Sequence, residues 1–406
     1  MARSALVALL FAMAMVQAVS ATAQKQQEDR LTTAAALTEQ ALELSGSGNA
    51  AEAERLFLRA VDIYREDVGD DHEFTLIAEY NLANFYSIAG RYAEAEAIWN
   101  RLAALPADPT MQNFDPLIVG GELATLYRRQ GRYTEADETI RSVVEARLES
   151  DGPDHEETLF AQVVMAGIAH LRGDYAAAEG QYQHVIDRGA SAIGPRSYPV
   201  LVAAANLGLM YVEQQRFAEA EPLILHAAEA AQAVYGPDNI DTLTTRSNIA
   251  MLYDAMERDE EAVEVYRDVL ERSRAMLGAE HPQTLITANN LGALYRDLGR
   301  LDEAETLLSA TLESRERILG ADHPHFQYTR NNLALIYQMR GDLGRADRLF
   351  RTTLESRRNT LGVAHRDTGL SAANLVRLHL EEGYRAEQAI SPARLMVESV
   401  RSRRGG

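Results

Sequence analysis

The side chains of this 406-residue chain that could do chemistry recur instead of clustering. An acidic residue followed by histidine appears as Asp71-His72, Asp154-His155, Glu280-His281 and Asp322-His323, and His365 keeps the same place in the rhythm. Imidazole beside carboxylate is a donor set that suits zinc, whose bonds are about 2 Å long. Equivalent residues of successive helical units lie roughly 8–10 Å apart, too far to share one ion. Pro282 and Pro324 directly follow two of these histidines. Proline suits a first helical turn, and a polar residue before it can cap exposed backbone donors. These loops are therefore assigned to helix capping, and neither metal nor cofactor is expected.

Carboxylate pairs such as Glu260 with Glu261 and Glu303 with Glu305 are frequent. On solvated helix faces they follow from composition, and acid–base catalysis is not inferred from them. The chain holds no H-E-x-x-H, no G-x-S-x-G, no Walker-type glycine loop and no dinucleotide fingerprint. No catalytic residue is assigned, and the protein is not expected to be an enzyme. A second recurrence is an asparagine ladder, Asn206, Asn248, Asn290, Asn332 and Asn374, doubled by Asn289 and Asn331. Asparagine costs roughly half a kcal/mol in a helix interior, so a ladder needs a reason. The amides either bridge neighbouring units or pair with the backbone of an extended ligand.

The elements that hold these residues repeat every 42 positions. Leu277–Ile318 is the clearest copy: its Gly278 recurs as Gly152, Gly194, Gly236, Gly320 and Gly362. Gly299 recurs as Gly90, Gly131, Gly173, Gly341 and Gly383, and Ala304 as Ala53, Ala95, Ala136, Ala178, Ala220, Ala262 and Ala346. Leu285, Ala288, Leu291, Gly292, Tyr295 and Leu298 follow steps of three and four, which predicts a helix over about 282–298 closed by Gly299. Leu301, Ala304, Leu307, Leu308, Thr311 and Leu312 predict a second helix to Ile318. Small residues, Gly292 and Ala304, mark a close approach of the two. Such a hairpin cannot bury its apolar stripe alone, so its neighbours must stack on it. The tyrosines Tyr86, Tyr127, Tyr211, Tyr253, Tyr295 and Tyr337 hold one position and are read as packing between helices.

The pattern L-G-x-x-H-P-x-T-L-x-x-x-N-N-L-x-x-L-Y-x-x-x-G-R-x-x-E-A-E resembles the tetratricopeptide repeats of the kinesin light chain type, over residues 31–400. The resemblance implies an all-α, right-handed superhelical solenoid of stacked helix hairpins, about nine units, the first and last degenerate. It also implies that the first helices line a concave groove that grips a peptide, a protein segment or another helix. Departures fall at Gln215 and Glu257, which replace the turn glycine, and at Ala169 and His379, which replace the tyrosine. Pro106, Pro109 and Pro116 predict a loop over 106–116 and a bend there. Arg385 to Gln388 replaces the alanine-centred motif, and Pro392 is expected to interrupt the last helix.

On that groove, the face followed from Asn289 carries Ile286, Asn289, Ala293 and Arg296, and in the next unit Tyr328, Asn331, Leu335 and Gln338. The preceding unit presents Thr244, Ser247, Met251 and Asp254, and the one before it the apolar Val202, Ala205, Leu209 and Val212. The face is thus expected to change from apolar to polar along the array. The candidate partner-binding residues are Ser247, Asp254, Ile286, Asn289, Arg296, Tyr328, Asn331 and Gln338, with Arg246 and Arg330 flanking them to meet a carboxylate. Within the ladder, Asn289 and Asn331 point about 100° away from their neighbours and are assigned to the groove, the other five to structure.

Outside the repeats, Arg3, the apolar run Ala5–Val16 and Ala21-Thr22-Ala23 read as a secretory signal peptide over residues 1–23. An apolar run of 12 residues falls short of the ~20 that span a bilayer, so no membrane insertion is expected after cleavage. Residues 24–30 are expected to be a flexible lead-in and 401–406 a disordered basic tail. There is no cysteine, and Lys25 is the one lysine. The net charge of −20, or −21 without the segment holding Arg3, repels nucleic acid. The sequence therefore points to an exported, periplasmic or secreted, non-enzymatic adaptor for a protein or peptide. The alternative is an auxiliary subunit of an envelope enzyme or transport complex that wraps a folded partner. The number of copies stays open.

Overall fold

A computed structural model of the chain describes residues 25–45, 49–108, 110–380 and 385–404. The signal-peptide reading, the turn glycines Gly48 and Gly383, Pro109, and Gly405 and Gly406 lie outside them. Among the described residues every regular element is a helix. Helix α1 covers residues 25–45. It is followed by α2 (Ala50–Val68), α3 (Glu73–Ile88) and α4 (Tyr92–Ala103). Then come α5 (Pro116–Arg129), α6 (Tyr133–Ser150), α7 (Glu156–Arg172), α8 (Tyr175–Ala192), α9 (Tyr198–Glu213), α10 (Phe217–Tyr235) and α11 (Ile240–Ala255). The last are α12 (Asp259–Leu277), α13 (Pro282–Asp297), α14 (Leu301–Leu319), α15 (Pro324–Met339), α16 (Leu343–Leu361), α17 (Arg366–Leu380) and α18 (Ile390–Arg404). Odd and even helices pair as hairpins. The chain divides into two compact units, Met1–Pro116 and Leu117–Gly406. The division falls at the end of the proline loop that separates α4 from α5.

The same chemistry closes the hairpin in several copies of the repeat. At its start, the Nδ1 atoms of His72, His155, His281, His323 and His365 accept the backbone N–H two residues on, at 3.1–3.3 Å. The recurrent histidines are thus helix caps, as their spacing indicates. In the turn, Arg91, Arg132, Arg216, Arg258 and Arg300 lie 3.9–4.4 Å above the rings of Tyr86, Tyr127, Tyr211, Tyr253 and Tyr295. The same guanidinium groups fork onto Glu94, Glu135, Glu219, Glu261 and Glu303 three residues on. Arg91 and Arg216 also reach back to Glu54 and Glu179 of the preceding hairpin, which accept the hydroxyls of Tyr86 and Tyr211. Hydrogen bonding to arginine holds Glu54 and Glu179 below the usual carboxylate range, and burial pushes both tyrosines up to about 12. The aromatic stripe therefore packs helices together and ties one hairpin to the next.

Close approach is made by small residues. A Cβ on Gly292 would lie 2.6 Å from Leu308 Cγ across the hairpin, and Ala304 is fully buried. A longer-range tie comes from Arg315, 2 % exposed, whose guanidinium donates to Leu285 O at 2.9 Å, His325 O at 2.8 Å and Thr329 Oγ1 at 2.6 Å. It joins α13, α14 and α15. Desolvation pulls its pKa down to about 10, so it keeps its charge at neutral pH. Arg357 repeats the arrangement with Asp367 O and Ser371 Oγ. Periodicity carried this signal: Arg315 stands between Thr311 and Ile318 on the buried row of α14.

Three expectations need correction. Residues 25–30 are helical, and Arg30 pairs with Glu66 and Asp67 of α2, so this stretch is not a flexible lead-in. The tail is helical as far as Arg404. Pro392 does not interrupt α18: it sits in the first turn, where the missing N–H has no intrahelical partner to lose. The departures at Gln215 and Glu257 keep the turn by adopting the left-handed conformation, both at φ 59°, where Gly299 has 72°. That conformation costs an L-residue about 1–2 kcal/mol, partly offset by the larger entropy glycine loses on folding. Glu257→Gly should stabilise unit 2 by about 0.5–1 kcal/mol, read as a raised urea midpoint at constant slope. A lowered midpoint would show that Glu257 contributes something its backbone does not.

Candidate functional site: the concave face of the second unit

Within Leu117–Gly406 the first helices of successive hairpins touch: α7 with α9, α9 with α11, α11 with α13, α13 with α15. Among the described residues no second helix is in comparable contact with the next second helix. In a stack, the side where neighbours are closest is the inside of the curve, so the first helices line the concave face. The curvature brings the unit round on itself. His365, in the loop before α17, donates from Nε2 to the carbonyl of Arg129 at the end of α5, 3.2 Å away and 236 residues earlier. Its Nδ1 already accepts the Asp367 N–H at 3.1 Å, which fixes the tautomer. The contact is tight: a Cβ on Gly131, whose φ is +72°, would lie 3.0 Å from the His365 ring.

Three rows of side chains define this face, each at 42-residue intervals. The most exposed is apolar almost throughout: Ile118, Phe160, Val202, Thr244, Ile286, Tyr328 and Leu370. Ile118, Tyr328 and Leu370 are 44 %, 41 % and 49 % exposed. The Tyr328 hydroxyl is bound to Asp367, and Arg357 lies 4.7 Å from its ring. Ile286 is half-buried on the same row.

The second row contains Val163, Ala205, Ser247, Asn289 and Asn331, and it lies in the seam between successive first helices. Val163, Ala205 and Ser247 are buried, and Ser247 Oγ donates to Leu243 O within its own helix. Ser247 therefore presents nothing to a ligand. Asn289 Oδ1 accepts from Asn332 Nδ2 at 3.3 Å and lies 3.0 Å from Thr329 Oγ1, while Asn331 Oδ1 accepts from Asn374 Nδ2 at 2.9 Å. The doubled asparagines thus bond to the single ones of the next hairpin. Elsewhere on the ladder Asn206 bonds Tyr182 and Asn290 bonds Tyr266.

The third row closes the face at the helix ends: Arg128, His170, Val212, Asp254, Arg296 and Gln338. His170 Nε2 lies 3.0 Å from Glu213. Arg296 forks onto Asp297 at 2.8 Å and donates to Asn332 at 2.7 Å, so its guanidinium is engaged. Asp254 is exposed beyond it, and partial desolvation with Asp297 and Asp259 nearby raises its carboxyl. Gln338 is half-buried. Arg246 and Arg330 do not flank the face. Arg246 pairs with Asp268 of α12 at 2.7 Å, and Arg330, 6 % exposed, donates to Thr353 Oγ1 and Thr352 O of α16. Both stand in the register of Ala288, a core position, which turns them toward their partner helices.

Sequence reasoning missed a cleft of about 570 Å³ between α5, α7 and α9. Leu117, Ile118, Phe160, Val164, Tyr198 and Val202 form its apolar walls, and Phe160 and Tyr198 meet with ring centroids 5.5 Å apart. Glu122 and Arg128 line it as well. Glu122 holds the register of the asparagine ladder and Arg128 that of Arg296, so the repeat alignment was the signal that could have found them. Burial raises the Glu122 carboxyl and lowers the Arg128 guanidinium, the latter also through Arg129.

From the seam bonds, Asn289→Ala with Asn331→Ala should lower stability by about 1–2 kcal/mol, after the helix-propensity gain of alanine. Chemical denaturation measures it, and an unchanged midpoint would show that these amides are free for a ligand.

Comparison with known proteins agrees with this architecture. Tetratricopeptide repeat models match residues 32–105, 118–189, 200–275, 284–325 and 327–367. A comparison with curated proteins finds no match. Among solved structures, the chain is similar to a Rap protein complexed with Competence and Sporulation Factor, at 12 % identity and TM-score 0.58, covering 92 % of this chain and 99 % of that one. It is also similar to BtubC (BKLC) from P. vanneervenii, at 21 % identity and TM-score 0.42, over 61 % of this chain and 91 % of that one. A third is a Podosopora anserina protein with nearly identical TPR-like repeats, named for kinesin light chain, at 23 % identity and TM-score 0.41, over 50 % and 95 %.

Proposed function

We infer, since this chain belongs to the tetratricopeptide repeat family, that it is a non-enzymatic interaction scaffold holding another protein by an extended segment laid in the concave cleft of its second unit. The observation that carries this reading is the row Ile118, Phe160 and Val202, apolar and open to the cleft, which no described side chain of the unit fills. Uncovered apolar surface of this kind gains free energy when a partner removes it from water. A cleft of about 570 Å³ has room for side chains of an extended segment and not for a folded domain, which favours a slender occupant. The Rap protein complex offers a parallel for a ligand-holding role of this fold without identifying the partner here. Of the residues assigned from sequence, Ile286 and Tyr328 extend the apolar row and Asp254, Arg296 and Gln338 its polar rim; we propose them as its continuation for a longer segment.

Gly121 supplies the test. It lines the cleft, and a Cβ there would meet nothing within 4 Å, so Gly121→Leu adds a side chain to the cleft itself. Peptides selected from a random display library on the wild-type protein should lose at least tenfold in affinity for this variant. Its thermal midpoint should stay or rise, since glycine is the poorer helix former by about 1 kcal/mol. Selected peptides indifferent to Gly121→Leu would place the interaction surface elsewhere.

We also propose that the chain is exported to the periplasm, from the basic, apolar and small-residue segments of residues 1–23. N-terminal sequencing of protein recovered from the cell envelope fraction should begin at Gln24. A cytosolic product still starting at Met1 would reject export.

A further inference from the structure

The cleft is lined by two charges that make no direct bond within the unit, although the Arg129 charge, seven residues on from Glu122, acts on its carboxylate from a distance. Neither the Glu122 carboxylate nor the Arg128 guanidinium makes a hydrogen bond or an ion pair among the described residues. Every other arginine or histidine described above on the polar rim is engaged, Arg296 by Asp297 and Asn332 and His170 by Glu213. The two residues are six apart on α5, roughly 9 Å along its axis and about 120° round it, which puts their Cα atoms roughly 10 Å apart. They do not neutralise one another at that separation. A charge held partly out of water without a partner is costly, and the cost is recovered when a ligand brings the opposite charge.

The remaining charges at the cleft give it a polarity. Glu156 and Glu157, on the first turn of α7, add negative charge toward the start of the first helices. Arg129 adds positive charge beside Arg128 at their ends, although it is already engaged, and Arg147 is paired with Asp151. The floor between is Phe160 and Val164. Charge therefore runs from negative to positive along the helix direction, across an apolar middle.

We propose that this cleft selects an extended polypeptide segment carrying a basic and an acidic side chain two residues apart, with apolar residues around them. The basic group lies by Glu122 and the acidic group by Arg128. In an extended chain, side chains two residues apart point the same way and stand about 6.8 Å apart, and the long flexible arms of arginine and glutamate extend that reach to the roughly 10 Å or more between Glu122 and Arg128. The partner class is thus a zwitterionic, apolar segment of a protein. This rests on the reading of the cleft as a peptide site.

The probes are fluorescein-labelled nonapeptides on a common leucine–alanine frame. One contains Leu-Arg-Leu-Glu-Leu, a second the order Leu-Glu-Leu-Arg-Leu, and a third Leu-Gln-Leu-Gln-Leu; anisotropy gives their affinities for the full chain. At least one charged order should bind ten times more tightly than the glutamine peptide. Arg128→Ala and Glu122→Gln should each remove about tenfold of that preference while leaving the glutamine peptide unchanged, with helical circular dichroism and melting as for wild type. The double exchange Glu122→Arg with Arg128→Glu should invert the preferred order where only one order binds, and leave both bound where both do. Equal binding of all three peptides, blocked by Gly121→Leu, would overturn the charge selection and leave the cleft reading standing. Absence of binding by all three would overturn both.

Discussion

A helix hairpin of this length has one apolar stripe too many, and everything else in the second unit follows from how that stripe is covered. The stripe of one hairpin is closed by its neighbour, and the neighbours can come close only where side chains are small. Gly292 against Leu308 and the fully buried Ala304 show the clearance available, less than one methyl group. Among the described residues first helices touch one another more closely than second helices do, so each added hairpin turns the stack by a small angle. Repeated through the unit, that angle brings the loop of His365 to the end of α5. The concave cleft is the space this curvature leaves, and its lining is whatever the first helices happen to carry on their inner row.

The fold was legible in the sequence because the constraint is local and repeated. A glycine at a left-handed turn, an alanine at a contact and a capping residue at most entrances recur at a fixed spacing, and each copy confirms the others. Helices α13 and α14 end within one or two residues of where periodicity and Gly299 place them. What failed lay at the ends of the chain, where only one copy of a signal exists. Residues 25–30 look like solvent-exposed polar chain until Arg30 finds Glu66 and Asp67, and nothing in a single row of letters announces that pairing. Gln215 and Glu257 teach the complementary lesson: the turn dictates the backbone, and the residue tolerates it.

The candidate site was less legible, for a geometrical reason. A helix face read as a surface from the sequence divides, once helices are stacked, into a strip that meets solvent and a strip that meets the next helix. Ser247, Asn289 and Asn331 fall on the second strip, so their polarity serves the seam between hairpins. Arg246 and Arg330 fall in the core register and satisfy their charge on α12 and α16. Ile286, Tyr328, Asp254, Arg296 and Gln338 do reach the inner face, but Arg296, the one cation among them, is fully occupied by Asp297 and Asn332. A polar residue that recurs is more often part of the repeat than part of the site, because recurrence is how a solenoid satisfies its own joints.

That argument turns attention to residues that break the repeat. Glu122 stands in the register of Asn206, Asn248, Asn290, Asn332 and Asn374, which α7 fills with Val164, and Arg128 stands where the equivalent Arg296 has a carboxylate beside it. Asparagine at this place is bonded to neighbours, as Asn332 and Asn374 show. A carboxylate there cannot donate to such a neighbour, so Glu122 makes no ladder bond, and its charge faces the cleft with Arg129 as the opposite charge that acts on it. Arg128 lacks an aspartate at the next position, where Arg129 stands instead and repels it. Both residues line the same inner surface, within two turns of one helix. A pair of opposite charges kept apart, each at some cost, on an apolar floor has no structural task to perform. Its energy is available to an occupant that bridges the two.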